Sequence, residues 1–470
     1  MNFKVQFLLP ELYLLAIICI LFVQSITNSL KSKTKWLPYA AFAGVFVSII
    51  SFGQNGYMLY NTYKIDGLSQ FFKFVIFLGF AICTANASQN KTIKREHFAD
   101  YFFFMTLSTF GLLILASTVE LFSIYVALEL ASYSLYVLIP LRNKDAKAAE
   151  AGIKYVLFGA VATALGLYGI SYIIAGQQTT FIHALAGMSW SWAENPMALI
   201  GFGLFLLAFL YKLALFPFHF WCPDVYQGTS NETAAFAATM PKLGAIVVLI
   251  RIMALMPGLE VKTIIAIFAA LSMTIGNLAA LSQKDIKRLL GYSSVSHAGY
   301  IMLGLVSGTA YGLSAAAFYG LVYMLMNLTI FWVITRLSSS GRNIYVDDLN
   351  GMYHSSPALA FTLAVAAFAL VGLPPTAGFT GKLFLLTSAW GQNFNWLVIV
   401  GAVNTAIAIY YYLNLVRHAY TVKEVAPLKF TLSPSSTALA LLLSIGVLYL
   451  GLVPQDIFNW LMKTSHFILS

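Results

Sequence analysis

Apolar residues run through the chain in stretches of about 20 residues, and short polar segments separate these stretches. The centres of fourteen stretches lie near Ile17, Val45, Val75, Leu107, Ala131, Ala164, Leu207, Val247, Ala269, Met302, Leu325, Ala364, Thr405 and Ser444. A helix needs about 20 apolar residues to cross the hydrocarbon core, whereas transmembrane strands alternate over about 10 residues. The pattern therefore predicts an all-α integral membrane protein with about 14 transmembrane helices.

The composition supports membrane insertion. Hydrophobic residues make up 60% of the chain and charged residues only 9%, a balance that cannot cover the surface of a soluble protein. The net charge of +10 does not indicate a nucleic-acid-binding protein, because most basic residues gather in alternate loops. These loops include residues 31–35, 91–95, 142–154, 284–288, 336–342 and 417–429. Since lysine and arginine accumulate in cytoplasmic loops, we expect these loops in the cytoplasm and both termini outside.

Four ionisable residues interrupt stretches that otherwise suit the bilayer core: Glu129, Lys212, Lys242 and Lys382. A charged side chain at mid-membrane costs about 2.5 to 3.5 kcal/mol, so such residues usually have a function. A lysine removed from water prefers its charged form less, and a nearby carboxylate restores that preference. We therefore predict a proton path through these four side chains. The alternative is that they only support assembly of a structural membrane subunit.

Other polar residues have simpler explanations. His219 and His297 could bridge proton transfers between the lysines, because imidazole titrates near neutral pH, but packing explains them equally well. We expect Lys73 and Arg251 to reach from helix ends to the membrane interface, and Glu120 to be a solvated residue at a helix start. The abundant aromatic residues, 37 Phe and 26 Tyr, are expected mostly at lipid contacts and interfacial belts.

The cysteines do not indicate a cofactor. Cys19, Cys83 and Cys222 lack CxxC spacing, and the sequence contains no nucleotide-binding loop or pair of haem ligands. A free cysteine usually behaves as a small buried apolar residue. We therefore expect neither a disulfide framework, nor a metal site, nor a cofactor bound by this chain.

Two predicted helices are interrupted close to a central lysine. Pro217 follows Lys212 by five residues, and Pro375 precedes Lys382 by seven. Proline removes a backbone donor, and irregular backbone at membrane depth must face protein or water. Paired interruptions of this kind indicate an inverted-repeat transporter with its pathway at the interruptions.

The order of the predicted helices gives a four-part division of the chain. We predict three transmembrane helices in residues 1–98, a first five-helix repeat at 99–256, a second at 261–418 and a last helix at 430–455. An odd number of helices in each repeat inverts the second repeat relative to the first.

Several segments of the chain resemble the antiporter-like membrane subunits of respiratory complex I. They are FHFWCPDVY at 218–226, ALELASYSLYVL around Glu129, MPKLGA around Lys242, DIKRLLGYSSVSHAGYIMLG around His297 and GLPPTAGFTGKLFLL around Lys382. Within this family, the PDVY segment, LPEL at 9–12 and a lysine at position 382 are similar to the N-type subunits. Residues 228–233 depart from the proline-rich turn that is usual in the family, so the geometry of that turn stays open.

The resemblance implies a proton-translocating subunit of an NADH:quinone oxidoreductase. It implies that Glu129 pairs with Lys212, that protons pass on toward Lys242 and Lys382, and that quinone reduction elsewhere in the complex drives the relay. NADH and quinone would be used by the complex and not bound by this chain. The implied surroundings are M-type and K-type neighbouring subunits and a lipid bilayer, in a bacterial inner membrane. The alternative is a subunit of a multi-subunit cation/proton antiporter, which has the same fold.

Overall fold

The computed structural model describes residues 5–27, 33–88, 90–142, 145–255, 258–338, 340–421 and 433–469. The chain is almost entirely helical. The α-helices are α1 (Leu9–Ile26), α2 (Leu37–Ile50), α3 (Gly67–Ala87), α4 (Phe98–Ser117), α5 (Leu121–Leu138), α6 (Ala146–Gln177), α7 (Ile182–Ala186), α8 (Pro196–Leu213), α9 (Trp221–Gly228), α10 (Asn231–Ile252), α11 (Gly258–Leu281), α12 (Ile286–Ser307), α13 (Ala310–Leu337), α14 (Met352–Ser355), α15 (Pro357–Val371), α16 (Ala377–Ala389), α17 (Asn395–Tyr420), α18 (Pro434–Leu452) and α19 (Gln455–Leu469). Two short strands, β1 (Gly56–Met58) and β2 (Tyr63–Ile65), form an antiparallel hairpin.

The predicted number of membrane crossings is confirmed. Twelve helices in the described part of the chain are long and apolar enough to span a membrane, and α2 and α15 are shorter apolar helices. The pairs α8 with α9 and α15 with α16 each follow one another across a short interruption, so each pair forms one discontinuous helix. All fourteen predicted centres lie within helices.

Two features of the fold were not predicted. The β-hairpin has only three residues in each strand, too few to show an alternating pattern. Helix α19 follows α18 after only two residues and has polar side chains on one face and apolar ones on the other. Its sequence is too polar for a membrane crossing, so hydrophobicity alone does not identify it.

The two discontinuous helices are interrupted in the same way. Ala214, the residue after α8, has a left-handed backbone with φ of 59°, and Gly372, the residue after α15, has φ of 91°. In each case the next amide, that of Leu215 or Leu373, donates a hydrogen bond of 2.9 Å to the carbonyl five residues earlier. Such a bond closes a helix that the following proline cannot continue.

A second correspondence links the starts of α5 and α12. The amide of Leu121 donates to Thr180 O at 3.0 Å, and that of Ile286 donates to Ile344 O at 3.1 Å. Both bonds belong to isolated antiparallel bridges just before a transmembrane helix. The fold therefore contains two inverted five-helix repeats, α4–α10 and α11–α17, in which α7 and α14 are short connecting helices. The residue boundaries of the four-part division remain a prediction.

The centre of the protein lies at the junction of the two repeats. In α10 and α13 every residue of the most apolar 18-residue window is buried, and in α12 almost every one is. Helices α1, α2, α6, α17 and α18 instead expose apolar side chains such as Phe42, Leu157, Ile399 and Leu442. The central helices are therefore shielded from lipid, which is where charged side chains are tolerated.

Lys73 does not extend out to solvent from the end of its helix but is buried, so that prediction was wrong. Its side chain is 1% exposed, and Nζ lies 2.7 Å from Glu11 Oε1. Tyr63 Oη donates to the same carboxylate oxygen at 2.7 Å and accepts from Lys73 Nζ at 3.1 Å. The partner lies on α1, 62 residues away in sequence, so the sequence around Lys73 does not reveal it.

Arg251 is also buried and paired. Its Nη1 and Nη2 atoms donate to the two carboxylate oxygens of Asp66, each at 2.9 Å. Burial alone would raise the pKa of the Asp66 carboxyl, but the Arg251 guanidinium outweighs burial and holds that pKa below its usual value.

The carboxyl of Glu120 caps α5 by accepting from the amides of Phe122 and Ser123. Glu120 does start a helix, as predicted, but it is buried rather than solvated.

We predict that Lys73→Met destabilises the subunit. The substitution leaves the Glu11 carboxylate buried without its cation, and breaking such a pair costs about 3 to 5 kcal/mol. The midpoint of thermal dissociation of the purified membrane complex should fall markedly. The double variant Glu11→Gln/Lys73→Met carries no buried charge at this position and should recover most of the loss. Equal loss in both variants would contradict a charge-based explanation.

Candidate functional site

Lys212 lies at the first helix interruption, one residue before α8 ends. The side chain is 2% exposed, and Nζ donates to Tyr155 Oη at 3.4 Å. The ammonium group also lies 5.1 Å from the ring centre of Tyr155, 5.5 Å from that of Tyr211 and 5.9 Å from that of Tyr136. Aromatic rings at these distances stabilise a desolvated cation.

The structure does not bring Glu129 into contact with Lys212. Glu129 is buried on α5, and its Oε1 atom has no hydrogen-bond partner among the described residues. None of the salt bridges among the described residues includes Glu129. The ion pair implied by the resemblance is therefore absent from the structure, and the Lys212 ammonium group lies near three tyrosine rings instead.

Lys242 lies at the centre of the molecule, directly after Pro241 in α10. Its Nζ atom donates to the carbonyl oxygen of Ser294 at 3.0 Å and also to the Ser294 hydroxyl. Ser294 Oγ lies 2.7 Å from Tyr323 Oη and 3.1 Å from Tyr226 Oη. Lys242 therefore belongs to a hydrogen-bonded group that joins four helices: α9, α10, α12 and α13.

Lys382 lies in α16 beside the second helix interruption. Its Nζ atom donates to Leu370 O at 3.2 Å and to Val371 O at 2.8 Å. These carbonyls end α15 and lack the helical donors that a continuous helix would supply. The ammonium group also lies 4.4 Å from the ring centre of Tyr300. The interruption thus provides the polar contacts that Lys382 needs in an apolar environment.

His297 lies between two of the lysines. Its Nδ1 atom is 2.7 Å from Tyr319 Oη, and its ring centre is 5.5 Å from that of Tyr323, which reaches Ser294. Its ring centre also lies 6.3 Å from that of Tyr300, the ring nearest the Lys382 ammonium group. The structure therefore places His297 where it could bridge these two lysines.

His219 occupies a different position, in the interruption between α8 and α9. It packs against Phe216 and Phe220, with ring centres 5.6 and 4.5 Å away. Its Nδ1 atom is buried without a hydrogen-bond partner among the described residues, and none of their hydrogen bonds joins it to a lysine. Its predicted bridging role has no support in this geometry.

Several tyrosines in the site were missed, because tyrosine was assigned mainly to lipid contacts. Tyr155, Tyr300, Tyr319 and Tyr323 are all essentially unexposed. Their positions near the middle of long apolar stretches, away from the interfacial ends, are a sequence signal that could have identified them.

The group around Lys242 and the group around Lys212 are separate, since within the described residues no chain of side-chain hydrogen bonds joins them. The rings of Tyr155 and Trp221, 5.0 Å apart, lie on the Lys212 side.

The unusual segment after PDVY forms an ordered turn without proline. Helix α9 ends at Gly228, and the Ser230 side chain caps α10 by accepting from the Thr233 amide at 3.1 Å. Lys287 Nζ donates to Thr229 O at 2.6 Å, and Arg142 Nη1 donates to the same oxygen at 3.2 Å. Basic side chains therefore hold the turn in place of the proline-rich sequence.

Two inverted repeats, each with a discontinuous helix and a buried lysine beside the interruption, define the class of antiporter-like membrane subunits. The family model described as NADH:quinone oxidoreductase/Mrp antiporter, TM, matches residues 118–408. NADH-quinone oxidoreductase subunit N 2 of Solidesulfovibrio magneticus is 58% identical over 453 residues, which cover 96% of this chain and 97% of that relative. The chain therefore belongs to the subunit N family of NADH-quinone oxidoreductases.

Solved structures agree with this assignment. A chain of respiratory complex I from Thermus thermophilus, with bound aureothin, is 30% identical, with a TM-score of 0.83 over 97% of this chain and 98% of that chain. A chain of the Mrp complex from Dietzia sp. DQ12-45-1b has a TM-score of 0.84, covers 99% and 98% of the two chains, and is 20% identical. The second similarity concerns the fold alone.

Proposed function

We propose that this chain transfers protons across the membrane as a non-redox subunit of an NADH:quinone oxidoreductase. Quinone reduction in other subunits would drive the transfer, so the complex uses NADH and quinone and this chain binds neither. Its partners would be other membrane subunits, with M-type and K-type neighbours, in a bacterial inner membrane. The observation that carries the proposal is the group formed by Lys242, Ser294, Tyr323 and His297 at the buried junction of the two repeats.

The arrangement supports lateral proton transfer in the second half of the path. Ser294 and the tyrosine hydroxyls can both donate and accept, so each can pass a proton to a neighbour. Lys242 contacts Ser294, Tyr323 lies near both Ser294 and the His297 ring, and Tyr300 lies near both that ring and the Lys382 ammonium group. A proton released by Lys242 would therefore have acceptors at hydrogen-bond distance, and His297 would bridge toward Lys382.

The first half of the proposed path works through charge. An ionised carboxylate near a buried lysine favours the ammonium form of that lysine, so Glu129 would act on Lys212 by its charge and not by a direct contact. If a neighbouring subunit moved the Glu129 carboxylate or neutralised it, Lys212 would release its proton more readily. The gap between Lys212 and the Lys242 group would be crossed by water, because water is the polar carrier that can enter such a site.

Two other functions are compatible with the fold. A cation/proton antiporter subunit has the same fold, but the relative that is 58% identical is an NADH-quinone oxidoreductase subunit. In a purely structural subunit, the buried lysines would serve assembly only. The scaffold hypothesis does not require hydroxyl groups that can both donate and accept protons to form a hydrogen-bonded group around a buried lysine, as Ser294, Tyr323 and Tyr226 do around Lys242, so proton transfer fits the site better.

We predict that Lys212→Ala separates proton transfer from assembly. The complex should be purified from cells that carry the variant, checked for all subunits, and assayed for quinone reductase turnover and for proton uptake in sealed vesicles. We expect an assembled complex in which both activities fall severalfold, because the first half of the path loses its proton carrier. Lys284→Ala, which removes an exposed lysine, is the matched control. Wild-type values for both activities in Lys212→Ala would favour the scaffold hypothesis.

A further inference from the structure

A crevice opens between the ends of α2, α3, α13 and α18, on the side where the basic loops predict the cytoplasm. Its volume is about 480 Å³, and its lining includes Lys35, Tyr39, Ser88, Trp332, Ser436 and Leu439. The crevice is remote from the lysines of the proposed relay, and none of its lining residues takes part in that proposal. Its walls combine one cationic side chain, several hydroxyls and apolar surface.

A buried arginine lies beneath the crevice. Arg336 is 9% exposed, its guanidinium lies 3.9 Å from the ring centre of Trp332, and its Nε atom donates to Ser436 Oγ at 2.8 Å. Its Nη2 atom has no hydrogen-bond partner among the described residues. None of the salt bridges among the described residues includes Arg336. The Arg336 guanidinium therefore lies just behind Ser436, and no carboxylate in the described part of the chain contacts it to neutralise its charge.

Two further features add positive potential. Ser436 belongs to the first turn of α18, whose N-terminus is capped by Ser433 and begins with Pro434. A helix N-terminus carries a partial positive charge that favours anions. Lys35 lies exposed at the rim. The crevice thus presents an anion with an ammonium group, a helix N-terminus and, behind a serine hydroxyl, a guanidinium.

Apolar stripes run away from the crevice on both sides. On α2 the exposed residues Phe42 and Phe46 follow the lining residue Tyr39 at spacings of three and seven. On α18 the exposed residues Ile445 and Tyr449 follow the exposed Leu442 at the same spacings of three and seven, and Leu442 itself lies three residues after the lining residue Leu439. Residues three, four and seven apart share a helix face, so each stripe begins at the crevice and extends along the membrane-spanning direction. Hydrocarbon chains anchored at the crevice would lie on these stripes.

We propose that the crevice binds the headgroup phosphate of an anionic phospholipid, with the acyl chains along α2 and α18. Basic pockets between transmembrane helices on the cytoplasmic side suit anionic headgroups. A free phosphate would use the same cationic groups but would leave the apolar stripes without an occupant. This site is independent of the proposed relay, because it shares no residue with it.

The experiment uses the intact complex in phosphatidylethanolamine vesicles that contain a trace of phosphatidylglycerol with a photoactivatable group in its acyl chain. After illumination, mass spectrometry locates the labelled peptides. We expect label on residues 37–50 and 434–452, and about fivefold less label there in Lys35→Gln, since one lysine at an anionic lipid surface contributes about 1 kcal/mol. Arg336→Gln should reduce the label as well. Lys94→Gln removes an exposed lysine outside the crevice and should leave the label unchanged.

Two further measurements identify the ligand. A phosphatidylcholine probe with the same photoactivatable chain should label the two segments weakly, and excess inorganic phosphate should not displace the phosphatidylglycerol label. Equal labelling by both lipids, or a label unaffected by Lys35→Gln, would overturn the proposal. Loss of the label in inorganic phosphate would also overturn it and would assign the crevice to free phosphate. Because Lys35 lies at the rim, Lys35→Gln stays informative even if Arg336→Gln fails to assemble.

Discussion

Lys242→Met is expected to remove proton translocation from an otherwise assembled complex. Methionine fills a volume similar to the lysine stem but cannot carry a proton, so Ser294 and Tyr323 lose the donor at the centre of their group. A group that acts as a general acid or base typically raises the rate of a reaction by a factor of about 10² to 10⁴. We therefore expect proton uptake in sealed vesicles to fall at least about tenfold. Quinone reductase turnover should fall with it, because the two processes are coupled.

A second substitution distinguishes charge from proton release. Lys242→Arg keeps a positive charge and the ability to donate to Ser294, but a guanidinium does not release its proton in proteins. If Lys242 only supports assembly, the arginine variant should retain activity. If Lys242 carries a proton, the arginine variant should fail like the methionine variant, while Lys284→Met, at an exposed lysine, should behave as wild type. Normal proton uptake in Lys242→Met would rule out Lys242 as a carrier.

The features that could be predicted from sequence are those with a large local energy cost. The helices around Ile17, Val247 and Ser444 were predicted because a membrane-spanning helix needs a long apolar stretch, and the structure has a helix at each of the fourteen predicted centres. The interruption near Lys212 was predicted because proline and lysine are both unfavourable in a membrane helix. Such signals depend on a few neighbouring residues, so a single sequence contains them.

What the sequence did not reveal depends on contacts between distant segments. Nothing near Lys73 indicates Glu11, since the two residues meet only when α1 packs beside α3 and the hairpin. The positions of Glu129 and Lys212 relative to each other also depend on how distant segments pack. Both were predicted as buried charges, but the three tyrosine rings near Lys212 come from α5, α6 and α8. Burial of a charge is therefore predictable from sequence, whereas its partner is not.

Lys382→Met is expected to have the second large effect, on proton exchange at the end of the path. Lys382 Nζ donates to Leu370 O and Val371 O, which the helix interruption leaves without helical donors. Methionine offers no proton and no donor to these oxygens. We expect proton uptake in sealed vesicles to fall at least about tenfold, comparable to the loss of a general acid–base group, with all subunits still present in the purified complex.

Lys382→Glu tests whether the position needs a proton or a cation. A neutral glutamic acid can donate to Leu370 O or Val371 O, whereas an ionised carboxylate would be repelled by both oxygens. The glutamate variant can therefore bind and release a proton here, and it should retain clearly more proton uptake than Lys382→Met. If Lys382 served only as a fixed cation, Lys382→Glu would be at least as damaging as Lys382→Met, because it can introduce the opposite charge. That order of activities would remove Lys382 from the proposed relay and leave it as a support for the interrupted helix.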